Sequence, residues 1–232
     1  MPQTASQFHS QIANDFDALY ASSPAFRERY DVWTALMDQY LTLGNRVLDL
    51  GCGSGVFSFY AAEKGCSVVG IDGAENMVSI CEQRRLARGF DQVSFRRAEI
   101  PLAAKDMPSG QFEVVISSSV LEYVKDIQGA LQNVADLIAP QGIFIISMPN
   151  KRSIYRMLER WCFRWLGKPA YYRFVQHVLT ENEMDALLQP HGFERIDLQY
   201  YASSGSVMGI FRLLFPRRQA TNLIVGVYQK SR

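Results

Sequence analysis

Two aspartates flank a run of glycines in the first third of the 232-residue chain. Asp49 lies two residues before Gly51, inside the segment 47–55 (VLDLGCGSG). Asp72 follows about 20 positions later, at the end of a second apolar run. Glycines let the backbone turn sharply and approach a ligand closely, and a helix that starts near Val56 would direct its amide donors back at the loop. The pattern therefore predicts a site for a nucleotide-like ligand.

The residues around the glycines discriminate between kinds of ligand. The loop lacks the G-x-G-x-x-G spacing of dinucleotide-binding folds, because Gly55 is followed by Val56. A carboxylate at Asp49 would repel a pyrophosphate but attract the amino group of a methionine-derived ligand. Asp72 can accept hydrogen bonds from both hydroxyls of a ribose, although an Asp at this position could also cap the following helix. The pattern disfavours an NAD-dependent oxidoreductase and favours a nucleoside that carries an amino acid.

Buried strands are predicted to bring these residues to one edge of a sheet. An apolar run at 46–50 leads into the glycines, and helical patterns lie between the first five strand candidates, notably at 74–88 and 127–138. Strands that alternate with helices indicate an α/β fold with a seven-stranded, mainly parallel sheet and helices on both faces. The other strand candidates are 67–71, 93–96, 112–117, 142–148, 196–200 and 223–228.

Segments outside this core are predicted to cover the site. Apolar residues at helical spacing extend over 13–43, with a break at Ser23-Pro24, because proline suits the first turn of a helix. We expect a single domain over 1–232. It comprises an N-terminal helical cap (1–44), a ligand-binding core (45–149), a helical, lid-like insertion after the fifth strand (150–180) and the C-terminal part of the sheet (181–232).

The insertion is dense in aromatic and basic side chains, and three interpretations of it stay open. Ile154, Leu158, Trp161 and Trp165 fall at helical spacing. They could line a lid over an apolar substrate, which the position at the carboxyl edge of the sheet favours. They could also dock residues 151–173 on a membrane interface, or pack a solvated helix by its aromatic side.

Composition and charge disfavour several classes of protein. The net charge of +1 provides no global attraction to nucleic acid, so no nucleic-acid partner is expected. The 4 cysteines and 3 histidines form no cluster with metal-site spacing, so no metal is predicted. The sequence shows no apolar stretch of about 18 to 20 residues that could span a bilayer and no basic leader followed by an apolar run. A cytoplasmic enzyme is the expectation.

The glycine segment 47–55, together with Gly70-Ile71-Asp72, resembles the class I S-adenosylmethionine (SAM)-dependent methyltransferases. The resemblance extends through 112–117 (FEVVIS), 120–124 (VLEYV) and 137–142 (LIAPQG), and a weaker similarity covers 179–193. More narrowly, the chain resembles the small-molecule branch that includes the ubiquinone-biosynthesis O-methyltransferases. Gln141 departs from the family pattern, which usually has a glycine in this turn.

The resemblance implies a Rossmann-like fold with SAM as cofactor. Asp49 and Gly51 would hold the methionine end of SAM, and Asp72 would hold its ribose. Met77 would pack against the adenine ring, and Glu99 would bond the adenine amine. The cofactor set that the resemblance implies is Tyr20, Asp49, Gly51, Cys52, Gly53, Gly55, Asp72, Gly73, Met77, Glu99, Ile100, Ser117 and Leu121, the last two beside the departing methyl group.

The resemblance also implies an enzyme that transfers a methyl group from SAM to a small-molecule acceptor. The nucleophile is expected to be a hydroxyl or amine of a partly apolar metabolite. It would attack the methyl group in line with the departing sulfur, without a metal. Alignment in a dry pocket is the main requirement, and a general base helps when the nucleophile is a hydroxyl. The candidate bases are His177, before a helix that Thr180 is predicted to cap, and Glu122, after the fourth strand.

Two other functions stay open at this point. The basic insertion is compatible with an RNA or protein methyltransferase, although the net charge of +1 disfavours one. A non-catalytic regulatory protein would bind SAM without transferring the methyl group. The sequence indicates no particular oligomeric state.

Overall fold

Seven strands form one sheet within the residues that the computed structural model describes, which are 22–202 and 214–232. They are β1 (Arg46–Leu50), β2 (Ser67–Asp72), β3 (Val93–Arg97), β4 (Phe112–Ser118), β5 (Ile138–Pro149), β6 (Phe193–Tyr201) and β7 (Leu223–Lys230). Their order is β3-β2-β1-β4-β5-β7-β6. The first five strands pair in parallel, whereas β7 runs antiparallel to both neighbours. The predicted seven-stranded, mainly parallel sheet is confirmed.

Helices connect the strands and cover the sheet. In the described residues the α-helices are α1 (Pro24–Tyr40), α2 (Val56–Glu63), α3 (Glu75–Arg88), α4 (Ile127–Leu137), α5 (Ile154–Leu166), α6 (Glu181–Leu188) and α7 (Arg217–Ala220). Pro24 occupies the first turn of α1, as the predicted break requires. Thr180 and Glu183 form a reciprocal capping box at the start of α6. None of the helices in these ranges is long and apolar enough to cross a membrane.

Both faces of the sheet are buried, and successive residues of a strand enter different cores. In β1, Val47 packs in the core that includes side chains of α1 and α2, whereas Leu48 and Leu50 pack in the core that includes α4 and α6. This alternation is the period-two geometry of a strand. Asp49 shares the side of Val47, and its carboxyl is therefore directed at α2.

The connection between β3 and β4 differs from the prediction. The sequence pattern predicts helical stretches between all of the first five strands. Here the chain forms only a three-residue 3-10 turn, Ala104–Asp106, between β3 and β4. Pro101 and Pro108 lack backbone donors, and Gly110 adds flexibility, so the segment cannot support an α-helix of ordinary length.

The fifth strand begins earlier than its predicted range of 142–148. Ile138 already pairs with Phe112, and an irregularity in register separates this pair from the rest of the ladder. Gln141 takes a left-handed backbone conformation (φ 64°), the conformation that a glycine would adopt without cost. Its side-chain amide donates to the Lys230 carbonyl at 3.1 Å. That bond fastens the turn to the end of β7.

The predicted helical insertion is confirmed as α5 and the 3-10 turn Ala170–Phe174. Its two ends meet, because the Lys151 N–H donates to the Leu179 carbonyl (3.0 Å) and the Leu179 N–H donates to the Pro149 carbonyl (3.1 Å). The Asn150 side chain donates to the Thr221 carbonyl at 2.9 Å. The insertion is therefore a closed excursion, anchored between the carboxyl end of β5 and the start of β7.

Candidate active site

The glycine loop follows β1 at the carboxyl edge of the sheet, where the neighbouring strand on one side is β2 and on the other is β4. The N–H groups of Gly51 and Cys52 donate to the Ile71 carbonyl at 2.7 and 3.0 Å. Gly51 has a φ of 82°, and a Cβ at this position would lie 2.2 Å from a methyl carbon of Val120. Only glycine therefore lets the loops after β1 and β4 approach this closely.

Asp49 lies buried beneath the loop. It is 2% exposed, and its Oδ2 accepts a hydrogen bond from the Ser58 hydroxyl at 2.6 Å. Burial raises the pKa of the Asp49 carboxyl to about 7, against the opposing effects of the Ser58 bond and of Arg29. A cation bound beside it would stabilise the ionised form. The carboxyl thus suits the amino group of an amino-acid ligand.

Asp72 ends β2 and contacts the same loop. Its Oδ2 accepts from the Gly53 N–H and its Oδ1 from the Ala74 N–H, both at 2.8 Å. Burial raises the pKa of Asp72, and the negative charge of Glu99 adds to the rise. Asp72 and Gly73 are both partly exposed. Asp72 therefore supports the turn before α3 while its carboxyl stays within reach of a ligand in the loop.

The residues expected around adenine lie in α3 and in the segment that follows β3. Met77 is 2% exposed and packs against Ala74 and Ile80. That position is compatible with core filling as well as with contact to a ring. Glu99 is exposed and Ile100 partly buried, both after the end of β3. Their roles toward adenine stay predictions.

The other residues of the predicted cofactor set differ in which of their atoms a ligand could contact. Cys52 is 8% exposed, with its thiol in the core, so a ligand would meet its backbone. Gly55 precedes α2 with a φ of 80°, and a Cβ there would lie 2.9 Å from the Cys81 sulfur. Tyr20 lies outside the described residues.

The end of β4 forms the other side of the loop. Ser117 is fully buried and its hydroxyl donates to the Leu50 carbonyl at 3.0 Å. Leu121 is also fully buried, inside the core that includes α4. Ser119 and Val120, between them, are partly exposed. The positions of Ser117 and Leu121 beside a methyl group stay predictions, and Ser119 and Val120 are the residues that sequence reasoning overlooked here.

Arg29 is a further residue that sequence reasoning missed. Its Nη2 donates to the carbonyl and the hydroxyl oxygens of Ser118, at 2.8 and 2.7 Å, and its guanidinium lies 5.9 Å from the centre of the Phe57 ring. Its positive charge lowers the pKa of both Asp49 and Glu122. Arg29 and Ser118 are 89 positions apart, and no local signal in the sequence reveals their contact.

Glu122 is a buried carboxyl in the 3-10 turn Leu121–Tyr123, directly after β4. It is 3% exposed, and its Oε2 has no hydrogen-bond partner within the described part of the chain. Burial raises the pKa of Glu122 to about 7, although Arg29 and Arg156 lower it. A buried oxygen without a partner costs free energy. A ligand that donates a hydrogen bond would remove this cost.

The insertion supplies the wall beside Glu122. Arg156 Nη1 donates to Glu159 Oε2 and to the Tyr171 hydroxyl oxygen, and the Tyr171 hydroxyl donates to Glu159 Oε1, each at 2.8 Å. The three side chains form a closed triangle between α5 and the following 3-10 turn. Arg156 and Glu122 each shift the pKa of the other. The inner side of the insertion is therefore polar and electrostatically linked to Glu122.

His177 lies next to Glu122, so the structure brings the two candidate bases together. The N–H groups of Gln176 and His177 donate to the Glu122 carbonyl at 2.7 and 3.2 Å. The ring Nε2 of His177 is 2.9 Å from the Val124 carbonyl, an acceptor that requires the proton on Nε2. These bonds anchor the end of the insertion to the loop after β4. The catalytic roles of Glu122 and His177 stay predictions.

These features together fit SAM. The glycines leave space that a Cβ would fill, Asp49 offers negative charge to an ammonium group, and Asp72 offers acceptors to a ribose. A Rossmann-like sheet with this set of donors and acceptors defines the class of SAM-dependent methyltransferases, for which SAM is the cofactor. The chain belongs to the methyltransferase domain family, because the profile described as "Methyltransferase domain" matches residues 41–192. The family predicted from the sequence is confirmed.

Two relatives carry the name of the small-molecule branch. The ubiquinone biosynthesis O-methyltransferase of Paracidovorax citrulli is 32% identical over 110 residues, which cover 47% of this chain and 46% of that protein. The protein of the same name from Bordetella avium is 29% identical over 180 residues, which cover 70% of this chain and 71% of that protein. The chain thus spans about half the length of the first relative.

Solved structures share the fold over nearly the whole chain. The N-methyltransferase NodS of Bradyrhizobium japonicum, in complex with S-adenosyl-L-homocysteine, has a TM-score of 0.71 at 16% identity and covers 99% of this chain and 100% of that one. The cyclase SpnF has a TM-score of 0.70 at 16% identity and covers 100% and 97%. Both confirm the Rossmann-like fold. Since one of them is a cyclase, the reaction is inferred from the family and the site.

Proposed function

We propose that this chain transfers a methyl group from SAM to the hydroxyl or amine of a small, partly apolar acceptor. The observation that carries the proposal is the placement of three carboxyl groups around one loop. Asp49, in β1, and Asp72, at the end of β2, adjoin the glycines. Glu122 lies beyond Val120 on the side of β4, with one carboxyl oxygen that has no partner among the described residues. The first pair suits SAM, and Glu122 suits the acceptor.

The chain's own residues would bind SAM, orient the acceptor and remove its proton. When bound, SAM supplies a methyl group on a positively charged sulfur, which makes the remaining thioether a good leaving group. The loop would fix the line of approach between SAM and the acceptor, and such alignment contributes several kcal/mol. Glu122 in its ionised form accepts the acceptor proton at Oε2. Arg29 and Arg156 favour that ionised form before the acceptor arrives.

Glu122 is the better base of the two candidates. Its Oε2 has no partner among the described residues, whereas Nε2 of His177 already donates to the Val124 carbonyl. We assign His177 a positioning role, because its backbone and ring both hold the loop that contains Glu122. The part of the chain that the structure describes contains no group of His, Cys, Asp and Glu suited to a metal ion, and displacement without a metal is part of the proposal.

The small-molecule acceptor is supported by the names of the two relatives and by the charge of the chain. Both relatives are named as O-methyltransferases of ubiquinone biosynthesis. A net charge of +1 offers little attraction to RNA, which disfavours an RNA methyltransferase. The outward side of residues 151–173 would make a peripheral membrane contact, which suits an acceptor of low polarity.

The test is acceptor-dependent release of S-adenosyl-L-homocysteine. The full chain would be incubated with SAM and a panel of phenols, catechols and amines, with mass spectrometry as the readout. We expect the product with at least one phenol or catechol and none without acceptor. A protein that binds SAM but methylates nothing in a broad panel would instead be regulatory. Methylation of RNA alone, with salt-sensitive RNA binding, would also overturn the proposal.

A further inference from the structure

The guanidinium of Arg156, on α5, leaves one edge without a protein partner. Both hydrogen bonds that this side chain donates to described residues leave from Nη1, to Glu159 Oε2 and to the Tyr171 hydroxyl oxygen. Its Nε is buried and has no partner within the described part of the chain. The side chain is only 16% exposed, so water has little access to it. A buried N–H group without an acceptor costs free energy, which a ligand would recover.

The edge formed by Nε and Nη2 has the geometry that binds a carboxylate. These two nitrogens lie side by side in the plane of the guanidinium, so their N–H groups can donate in parallel to the two oxygens of one carboxylate. Glu159 and Tyr171 hold Nη1 at 2.8 Å each, and so fix the orientation of that plane. A lysine at this position would offer a point charge without the planar fork. Arg156 is therefore a preorganised donor pair for a planar anion.

Glu122 provides a second buried atom without a partner in the same region. Its Oε2 has no hydrogen-bond partner among the residues that the structure describes. Arg156 and Glu122 are close enough for the charge of each to shift the pKa of the other. The ionised Glu122 accepts a hydrogen bond, whereas Arg156 only donates. A ligand that satisfies both residues must therefore carry an acceptor group and a donor group.

We propose that the methyl acceptor is a phenolic acid, with its carboxylate on the Nε/Nη2 edge of Arg156 and its hydroxyl on Oε2 of Glu122. This inference rests on the proposed function, which assigns Glu122 to the acceptor. A carboxylate occupies both N–H groups of the edge, whereas one neutral carbonyl oxygen leaves the fork incompletely matched. A phosphate would bring a larger negative charge and oppose the ionised form of Glu122 more strongly. Arg156 would thus determine specificity for an acid.

The hydroxyl, and not the carboxylate, is the group that would receive the methyl. Glu122 loses its own proton near neutral pH, so it suits the proton of a phenol, which is more acidic than that of an alcohol. The phenolic oxygen forms the new bond to the methyl carbon, the bond from that carbon to sulfur breaks with its electron pair left on sulfur, and the phenolic proton passes to Glu122. The product is a methyl ether that keeps its carboxylate on Arg156.

SAM carries a carboxylate of its own, and the proposed function directs it away from Arg156. In the amino-acid end of SAM the carboxylate and the amino group share one carbon, so both would lie on the side of Asp49. Asp49 is directed at α2, and the positive charge that lowers its pKa is that of Arg29 on α1. Arg156 belongs to α5 and interacts with Glu122. The open edge of Arg156 is therefore left to the acceptor.

Matched ligands separate the carboxylate from the rest of the acceptor. The ortho, meta and para hydroxybenzoates would be titrated into the full chain saturated with S-adenosyl-L-homocysteine, with calorimetric detection. The corresponding hydroxybenzamides keep the shape of each ligand without its charge. We expect at least one hydroxybenzoate to bind at least about tenfold more tightly than its amide, because the amide loses a bidentate charged pair. With SAM, mass spectrometry should show that this isomer becomes a methyl ether.

Two variants remove the fork while keeping the charges of the triangle balanced. Arg156→Lys keeps a cation opposite Glu159, and the preference for the hydroxybenzoate over its amide should fall about tenfold. Arg156→Gln combined with Glu159→Gln removes both charges, so no buried carboxylate is left unpaired, and this variant should show no preference. Arg160→Gln changes an exposed arginine one turn further along α5 and should keep the wild-type preference. SAM affinity, measured on each variant, checks folding and should stay unchanged.

Several results would overturn the assignment of Arg156. Equal affinity for every hydroxybenzoate and its amide would do so, as would a preference that survives in both Arg156 variants. Weaker SAM binding with unchanged acceptor binding in these variants would assign the edge to the cofactor, and a methyl ester as product would place the carboxylate at the methyl group.

The two proposals fail in different ways. Methylation of phenols with no preference for an acid would contradict the phenolic acid alone. Carboxylate binding that depends on Arg156, in a chain that methylates no acceptor of the panel, would contradict the proposed function alone.

Discussion

Two buried carboxyl groups, Asp49 and Glu122, lie on opposite sides of the glycine loop that follows β1. Each keeps its proton to a higher pH than an ordinary carboxyl does. Burial raises the pKa of Asp49 and of Glu122 to about 7, because an ionised carboxylate loses its hydration inside the protein. Shifts of this size are concentrated at functional sites. Arg29 lowers the pKa of both groups and bonds to Ser118 between them. One cation on α1 thus links the proposed cofactor side to the proposed acceptor side.

Glu122→Gln tests the proposed base. The substitution keeps the shape of the side chain but removes its ability to take a proton, so turnover should fall by about 10²-fold or more. The base acts in its ionised form, so wild-type kcat should rise as pH increases through about 7, and Glu122→Gln should lose this rise. Burial raises the pKa of Glu122, and the backbone N–H of Glu122 and the charges of Arg29 and Arg156 oppose the rise. The measurement is kcat across neutral pH, with SAM affinity determined in parallel and expected to be unchanged.

His177→Gln provides the comparison for that experiment. It removes a ring that touches the same loop through Val124, and we expect a moderate loss of kcat with the pH dependence retained. A pH dependence that persists in Glu122→Gln but disappears in His177→Gln would show that the assignment of the two roles is wrong.

At the scale of elements, the site depends on the close approach of two loops. The loop after β1 passes Val120 with no room for a side chain at Gly51, and β1 and β4 pair directly beneath. In an open α/β sheet, ligands bind where the strand order reverses, and here the reversal falls between β1 and β4. The glycines therefore define the floor on which both reactants would meet.

Gly51→Ala and Gly44→Ala separate this close approach from backbone strain. Both glycines have positive φ, 82° and 85°, but a Cβ at Gly44 meets nothing within 4 Å. Each alanine should lower the free energy of unfolding by about 1–2 kcal/mol through its backbone alone. Gly51→Ala should lower it further and should weaken SAM binding by roughly 10²-fold, because the loop must move. Urea unfolding and SAM titration measure the two effects. Identical behaviour of the two variants would contradict the role of Val120.

Most elements can be predicted from local sequence, and of the two that differ from the prediction one depends on long-range pairing. The strand 46–50 was predicted with its observed limits, because an apolar run ends abruptly in glycines. The early start of β5 depends on the pairing of Ile138 with Phe112, which no local pattern contains. The absence of an α-helix from the connection between β3 and β4 could have been read from Pro101 and Pro108.

At the scale of the whole molecule, the two halves of the site differ in how far the sequence reveals them. Asp49 and Asp72 could be predicted because each lies at a fixed place relative to one short loop. Arg29 and Arg156 could not, because two helices distant from the loop in sequence, α1 and α5, carry them to the end of β4 and to the surroundings of Glu122. The acceptor side is assembled by tertiary packing, so its chemistry emerges only from the fold.

The most direct test of the account is a calorimetric titration of the full chain with SAM. Wild type would be compared with Asp72→Asn and with Asp91→Asn, an exposed acid outside the site. We predict one SAM per chain, an affinity at least about tenfold weaker in Asp72→Asn because hydrogen bonds to a charged acceptor are lost, and no change in Asp91→Asn. A wild-type chain that takes up no SAM, or an affinity that Asp72→Asn leaves unaltered, would contradict it.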